Sequence, residues 1–283
     1  MPTTSKKNEL MCFRKLKDYI MDSFYKHEFQ RMEAAFITRF QELQRHLNTV
    51  KDVDLSALPE IESWRILHFA KMAKMFDSLF LMITHTKDLA SACSIIRSLY
   101  DNWYSYLFIY EFNVGEEKLL RFYLYVYDSF KQREDSITLI KKDQNLKPAE
   151  IRAFDQTMAV CEEKKNHYFE LMQKLSLYAE NKVFIDKVKD YKEGWTYKNF
   201  SEKPGTLFKW SGLYDKLSGE DRKGYLNFLS QYVHGLYASN SSVVPSSQEL
   251  YYTLSEALSI LCSVNDYLDK HPLNSGPERN QEK

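Results

Sequence analysis

Glycine placement constrains this chain more than any other feature of its sequence. Gly115 is the only glycine before residue 194, and six more, Gly194, Gly205, Gly212, Gly219, Gly224 and Gly235, fall between 194 and 235. Long glycine-free stretches that carry a 3.6-residue apolar period leave few turns for a sheet and argue for an all-α fold.

The helices follow from periodicity and capping residues. The first is expected over 6–24. A second carries the stripe Phe29, Met32, Phe36, Phe40, Leu43 and Leu47, at the spacing of one helical face. A loop through Asp52 to Pro59 leads to a helix over 60–85, and Asp88 is placed to N-cap a helix over 89–112. Asn113-Val114-Gly115 interrupts, and a helix over 116–143 follows. Pro148 suits the first turn of a long helix to residue 178. A short helix over 180–191 precedes a Gly/Trp-rich crossover, 194–217. Ser218 with Asp221 can cap the next helix, and Ser246-Ser247-Gln248-Glu249 reads as a capping box for a last helix over 247–270. Phe122-Tyr123-Leu124-Tyr125-Val126-Tyr127 has strand-like composition. It is assigned to helix because no turn residues bound it. The expected architecture is a single bundle of about eight helices over 1–271. In it, an N-terminal helical pair (1–59) packs on a 60–270 core, and a polar, disordered tail (272–283) follows.

Composition narrows the function classes. The 283 residues include 39 basic and 39 acidic side chains, so the formal net charge is zero. No global basic field gathers nucleic acid or an anionic membrane, although a local basic cleft is compatible with this balance. Cys12, Cys93, Cys161 and Cys262 are scattered, with no C-x-x-C pair, and read as inert thiols of a reducing compartment. The N-terminal residues lack an apolar signal core, and the longest apolar runs, such as Leu79 to Ile83, are too short to span a bilayer. A cytoplasmic protein with no membrane partner is therefore expected. The seven histidines show no spacing suited to a metal centre, and no phosphate loop or nucleophile elbow is present. Neither a metal nor a cofactor is expected.

Two i,i+4 polar pairs stand out on apolar helices. Ser230 and His234, in Ser230-Gln231-Tyr232-Val233-His234-Gly235, share a face with Leu226, Leu229 and Val233. Arg97 and Asp101 share a face among Cys93, Ile96, Tyr100, Tyr104 and Leu107. Polar groups in apolar surroundings are costly unless paired, so the economical arrangement sets the two helices face to face. Asp101 would then orient and charge-stabilise His234, and Arg97 would present a guanidinium to an anion.

The Arg97–Asp101 helix, the Trp210-Ser211-Gly212 segment and the Tyr225/Ser230/His234/Gly235 helix together resemble a bacterial family of unknown function, over roughly residues 60–270. That family looks like an all-helical bundle. A more distant similarity is to the HEPN helical nucleases, in which an arginine and a histidine of one helix act on an RNA phosphate. This chain departs from that pattern: Leu229 and Asn227 stand five and seven positions before His234, so a phosphate-binding arginine must come from Arg97. The resemblance implies an RNA-acting or ligand-binding module, with a role in defence or stress response. His234 would be its acid–base group, Asp101 the orienter, Arg97 the anion clamp, and Ser230 a supporting hydrogen bond.

Each feature also has a plainer reading. The Arg97, Asp101, Ser230 and His234 cluster would serve equally as a structural network in a non-catalytic interaction protein. Trp195, Tyr197 and Trp210 are expected as an aromatic lid on the bundle end, with Trp210, Tyr225 and Tyr104 as candidate ligand contacts in the alternative. Tyr123, Tyr125 and Tyr127 are expected to pack rather than stack on bases, and Glu162-Glu163-Lys164-Lys165 to form a solvated face. The partners to test are RNA or a small anionic ligand, and a second copy of the chain, since bundles with aromatic faces often dimerise.

Overall fold

The computed structural model describes residues 4–110, 115–143, 145–190, 228–230 and 245–273, with side chains from residue 21 onward. Among these residues the regular structure is entirely helical, as the glycine distribution implies. The helices with defined bounds are α1 (Thr4–Asn48), α2 (Glu60–Leu81), α3 (Leu89–Tyr110), α4 (Glu116–Ile140), α5 (Pro148–Gln173), α6 (Tyr178–Lys189) and α7 (Ser247–Lys270). The chain divides into two compact units, Met1–Trp103 with Asp221–Lys283, and Tyr104–Glu220. The expected Gly/Trp-rich crossover, and the tail beyond residue 273, lie outside the described residues.

In the first unit, the expected pair of N-terminal helices is one helix of 45 residues. The four residues Tyr25-Lys26-His27-Glu28 contain no glycine, proline or capping side chain, so nothing stops α1 there. α1 and α7 run parallel. Ser247 donates to Asp22 across 2.7 Å, Tyr25 and Tyr252 share a hydrogen bond of 3.3 Å, and Asn265 Nδ2 donates to the Arg39 carbonyl at 2.7 Å. α2 packs antiparallel against α1. The Phe36 ring stacks on Phe80 with centroids 5.2 Å apart and meets Phe76 edge-on at 6.2 Å. At the other end of α7, Tyr267 stacks on Phe69 and meets Trp103 edge-on at 5.7 Å. The core between these helices is apolar: Leu43, Phe69, Met72, Phe76, Leu254, Ala257 and Leu261 are fully buried.

α2 stops at Leu81, short of the expected residue 85, and continues as a π-helical turn over Met82–Thr86. Lys87 then adopts the left-handed conformation at φ 57°, which ends the helix at a cost of about 1 kcal/mol for a side chain with a Cβ. The expected Asp88 cap is present: its carboxylate accepts from the Ser91 backbone N–H at 3.1 Å and from the Ser91 hydroxyl at 2.6 Å. So is the Ser246–Glu249 capping box at the start of α7.

In the second unit, Gly115 at φ 58° sits immediately before α4, and Pro148 occupies the first turn of α5. α4 and α5 form an antiparallel pair joined by Lys141–Asp155 and Lys165–Glu134 ion pairs. Lys165 is thus half-buried towards the α4–α5 seam while still pairing with Glu162 at 3.1 Å, and Glu162, Glu163 and Lys164 are exposed. The strand-like stretch 122–127 is the middle of α4. Phe122, Leu124, Val126 and Tyr127 are buried around most of the helix circumference, so no single stripe is legible there. α4 also buries charge. Arg121 lies over the Phe108 ring at 3.9 Å and pairs with Glu117 at 2.9 Å. Lys131 pairs with Asp128 at 2.8 Å and donates to the Val188 carbonyl at 2.9 Å.

Lys131 and Asp128 are 5% and 3% exposed. Removing one member strands the other's charge, so Lys131→Ala is expected to cost about 3–5 kcal/mol in urea unfolding. The paired change Lys131→Met/Asp128→Leu is expected to recover most of that loss, because it removes both desolvated charges at similar volume.

Candidate functional site

The helix that carries the first polar pair is built as the sequence suggests. In α3, Ala92, Cys93, Ile96, Leu99, Tyr100 and Trp103 form a buried arc. Arg97 and Asp101 sit one turn apart, and Arg97 Nη2 is 3.3 Å from Asp101 Oδ1. Their side chains are 23% and 42% exposed, so the pair lies on the edge of the arc and not within the core expected for it. An exposed or half-exposed i,i+4 pair contributes about 0.3–0.5 kcal/mol. Partial burial raises the Asp101 carboxyl above the ordinary carboxylate range, and the nearby Arg97 guanidinium opposes that shift.

Of the second pair, Ser230 belongs to the helical residues 228–230 and is half-buried beside Leu229, which is fully buried. His234 and Gly235 lie outside the described residues, as do Trp195, Tyr197, Trp210 and Tyr225. The expected face-to-face arrangement of the two pairs therefore falls on residues outside the description. Ser230 belongs to the same compact unit as the Arg97–Asp101 pair, since Asp221–Lys283 groups with Met1–Trp103. Tyr104 is 2% exposed and falls in the other unit.

The three described thiols are poor nucleophiles. Burial pushes Cys93 up to about 12 and raises Cys161 and Cys262 as well, which keeps them protonated near neutrality. Among the described residues no group of three or more histidine, cysteine, aspartate or glutamate side chains converges to hold a metal ion, and no described helix is long and apolar enough to cross a membrane.

Two features escaped the sequence reading. The first is His68 on α2, whose Nε2–H donates to the Asn102 carbonyl of α3 at 3.0 Å. A carbonyl only accepts, so this contact requires the proton on Nε2. Burial lowers the imidazole to about 4, and His68 is neutral near pH 7. The second is a cleft of about 370 Å³ between α2 and α3, lined by Lys71, Lys74, Met75, Ser78, Ser94, Ile95 and Ser98. Arg97 and Asp101 are not among its lining residues. The Ser94 and Ser98 hydroxyls donate to the Ala90 and Ser94 carbonyls of their own helix, each at 3.0 Å. The cleft's signal in the sequence is the three- and four-residue spacing of its lining residues, Lys71, Lys74 and Ser78 on α2 and Ser94 and Ser98 on α3.

No family model, curated protein or solved structure matches this chain.

His68 gives a pH signature. Its folded value lies below the ordinary 6.5, so the unfolded chain takes up a proton first as pH falls. The stability contributed by the neutral ring is complete above pH 6.5 and is lost as pH falls towards 4, by at most about 3 kcal/mol. Urea titrations at pH 7.5 and pH 4.5 should show this loss in the wild type and a smaller one in His68→Gln.

Proposed function

We propose that the chain is an anion-acting helical module, of the kind that the distant similarity to the HEPN nucleases implies. In this reading Arg97 engages a phosphate or another small anion, Asp101 holds Arg97 and charge-stabilises His234, and His234 supplies acid–base chemistry with Ser230 as a supporting hydrogen bond. RNA and a small anionic ligand are the substrate classes to test. The observation that carries the reading is the placement of the Arg97–Asp101 pair. It sits on a partly exposed flank of α3, in the same compact unit as Ser230.

A second reading takes the same residues as a structural network in a non-catalytic interaction protein. It is favoured by the Arg97–Asp101 contact within α3 and by the fully buried Leu229 next to Ser230.

The two readings separate in one set of variants. Arg97→Ala and His234→Ala are compared with the wild type for thermal midpoint and for binding and cleavage of a labelled single-stranded RNA. Loss of one charge-stabilising group at a reacting centre typically costs about 10²–10³ in rate. The anion-acting reading expects a loss of that size in cleavage, with the thermal midpoint little changed. Lowered midpoints in both variants, together with a wild type that neither binds nor cleaves RNA, would support the structural network.

A further inference from the structure

α1 changes the side on which it carries its apolar residues. From Tyr25 onward the buried positions Tyr25, Phe36 and Leu43 share one face, with Tyr25 set against Tyr252 of α7 and Phe36 against Phe76 of α2. Carried back along the helix, that face reaches Asp18, Arg14 and Lys7, with Met11 the one apolar residue among them. Phe13, Leu16, Ile20 and Phe24 instead follow one another at spacings of three, four and four. On the continuous helix Thr4–Asn48 they share a face of their own, turned about 140° from the packed one at 100° per residue. Glu9, one turn before Phe13, ends this apolar run. Phe24 on the new face and Met21 beside it are 54% and 41% exposed, whereas Tyr25, the next residue, is buried. The helices packed on α1 also stop at this level. α7 begins where Ser247 donates to Asp22, and the chain leaving α2 brings Lys87 over the Phe29 ring, so neither helix runs alongside residues 4–20. Those residues carry five basic residues, Lys6, Lys7, Arg14, Lys15 and Lys17, and two acidic ones, Glu9 and Asp18. Their net charge is +3, and the rest of the chain carries −3, so the zero total hides the segment.

We propose that the Phe13–Phe24 face of α1 lies on an anionic lipid surface. Three features select that occupant. The charge of +3 within 17 residues is drawn to an anionic surface, and it opposes pairing with the same segment of a second copy. The apolar face is narrow, four residues within about 80° of the helix circumference. A flat interface covers such a face, whereas a protein groove that encloses a helix needs apolar positions around more of it. Lys17 borders the face and Lys6 stands at its N-terminal end, positions from which a long cationic residue reaches lipid headgroups. A helix that lies along a bilayer in this way needs neither the length nor the apolarity of one that crosses it. The α7 and α2 contacts from Asp22 onward hold the rest of α1 in the protein, so the face is carried on a helix already formed and anchored at one end.

The test is co-sedimentation of the full chain with two kinds of vesicle, phosphatidylcholine alone and an equimolar mixture of phosphatidylcholine and phosphatidylserine. The chain is expected to bind the mixed vesicles and to bind phosphatidylcholine at least ~10-fold more weakly, with the difference shrinking at high salt. Phe24→Glu is expected to weaken binding to the mixed vesicles at least ~10-fold, because it sets a charge on the inserted face. Lys15→Glu/Lys17→Glu is expected to remove the preference for phosphatidylserine. Phe24 is exposed, and unchanged far-ultraviolet circular dichroism will confirm that each variant folds. No binding to the mixed vesicles, equal binding to the two compositions, or undiminished binding by Phe24→Glu would overturn the proposal. A dimer seen by sedimentation velocity without vesicles and lost in Phe24→Glu would also overturn it, because the face would then belong to a second copy of the chain.

Discussion

The first unit depends on the pairing of the first and last helices. α1 and α7 lie at opposite ends of the sequence and run parallel, so no short connection joins them and side chains must fix their register. Three polar contacts, Asp22–Ser247, Tyr25–Tyr252 and Asn265 to the Arg39 carbonyl, do so along their length. Asn265 is the most telling of these. It is 1% exposed, its amide donates to α1, and its Oδ1 has no hydrogen-bond partner. A buried amide that is satisfied on one side only costs stability in exchange for register, because any slip along α1 would strand the donor as well. Once α1 and α7 are locked, Phe36 of α1 and Tyr267 of α7 reach α2, on Phe76 and Phe80 and on Phe69. The α2 position then follows from aromatic packing.

Much of this was legible in the sequence, for identifiable reasons. Glycine scarcity and the Phe29–Leu47 stripe give helices, and Asp88, Pro148 and the Ser246–Glu249 box give three of their starts. These signals are local, and local chemistry decides them. The failures are also physical. The break expected between residues 24 and 29 does not form, because no stop residue stands there to end the helix. The end of α2 depends on Lys87 taking a left-handed conformation that lysine seldom adopts, which no propensity would suggest. α4 is buried on so much of its circumference that its stripe disappears, and Lys165 turns towards the seam because Glu134 lies across it.

The candidate site was legible in part. The i,i+4 spacing of Arg97 and Asp101 correctly places the two in contact, since a helix leaves them no other arrangement. Sequence overstates their burial because Cys93, Ile96 and Tyr100, which look like their surroundings, occupy the adjoining arc of α3 and carry the core by themselves. His68 was passed over because a lone histidine has no pattern. Its role comes from the Asn102 carbonyl on a neighbouring helix, which only tertiary structure supplies.

The proposed function rests on Asp101 acting on His234. The most direct test is the titration of the histidine rings by ¹H–¹⁵N NMR in the wild type and in Asp101→Asn. A carboxylate beside an imidazole favours its charged form, so the account predicts that the His234 value falls when Asp101 is made neutral, while that of the exposed His27 stays where it is. A His234 titration curve that is identical in the two proteins would show that the pairs do not act together, and would contradict the account.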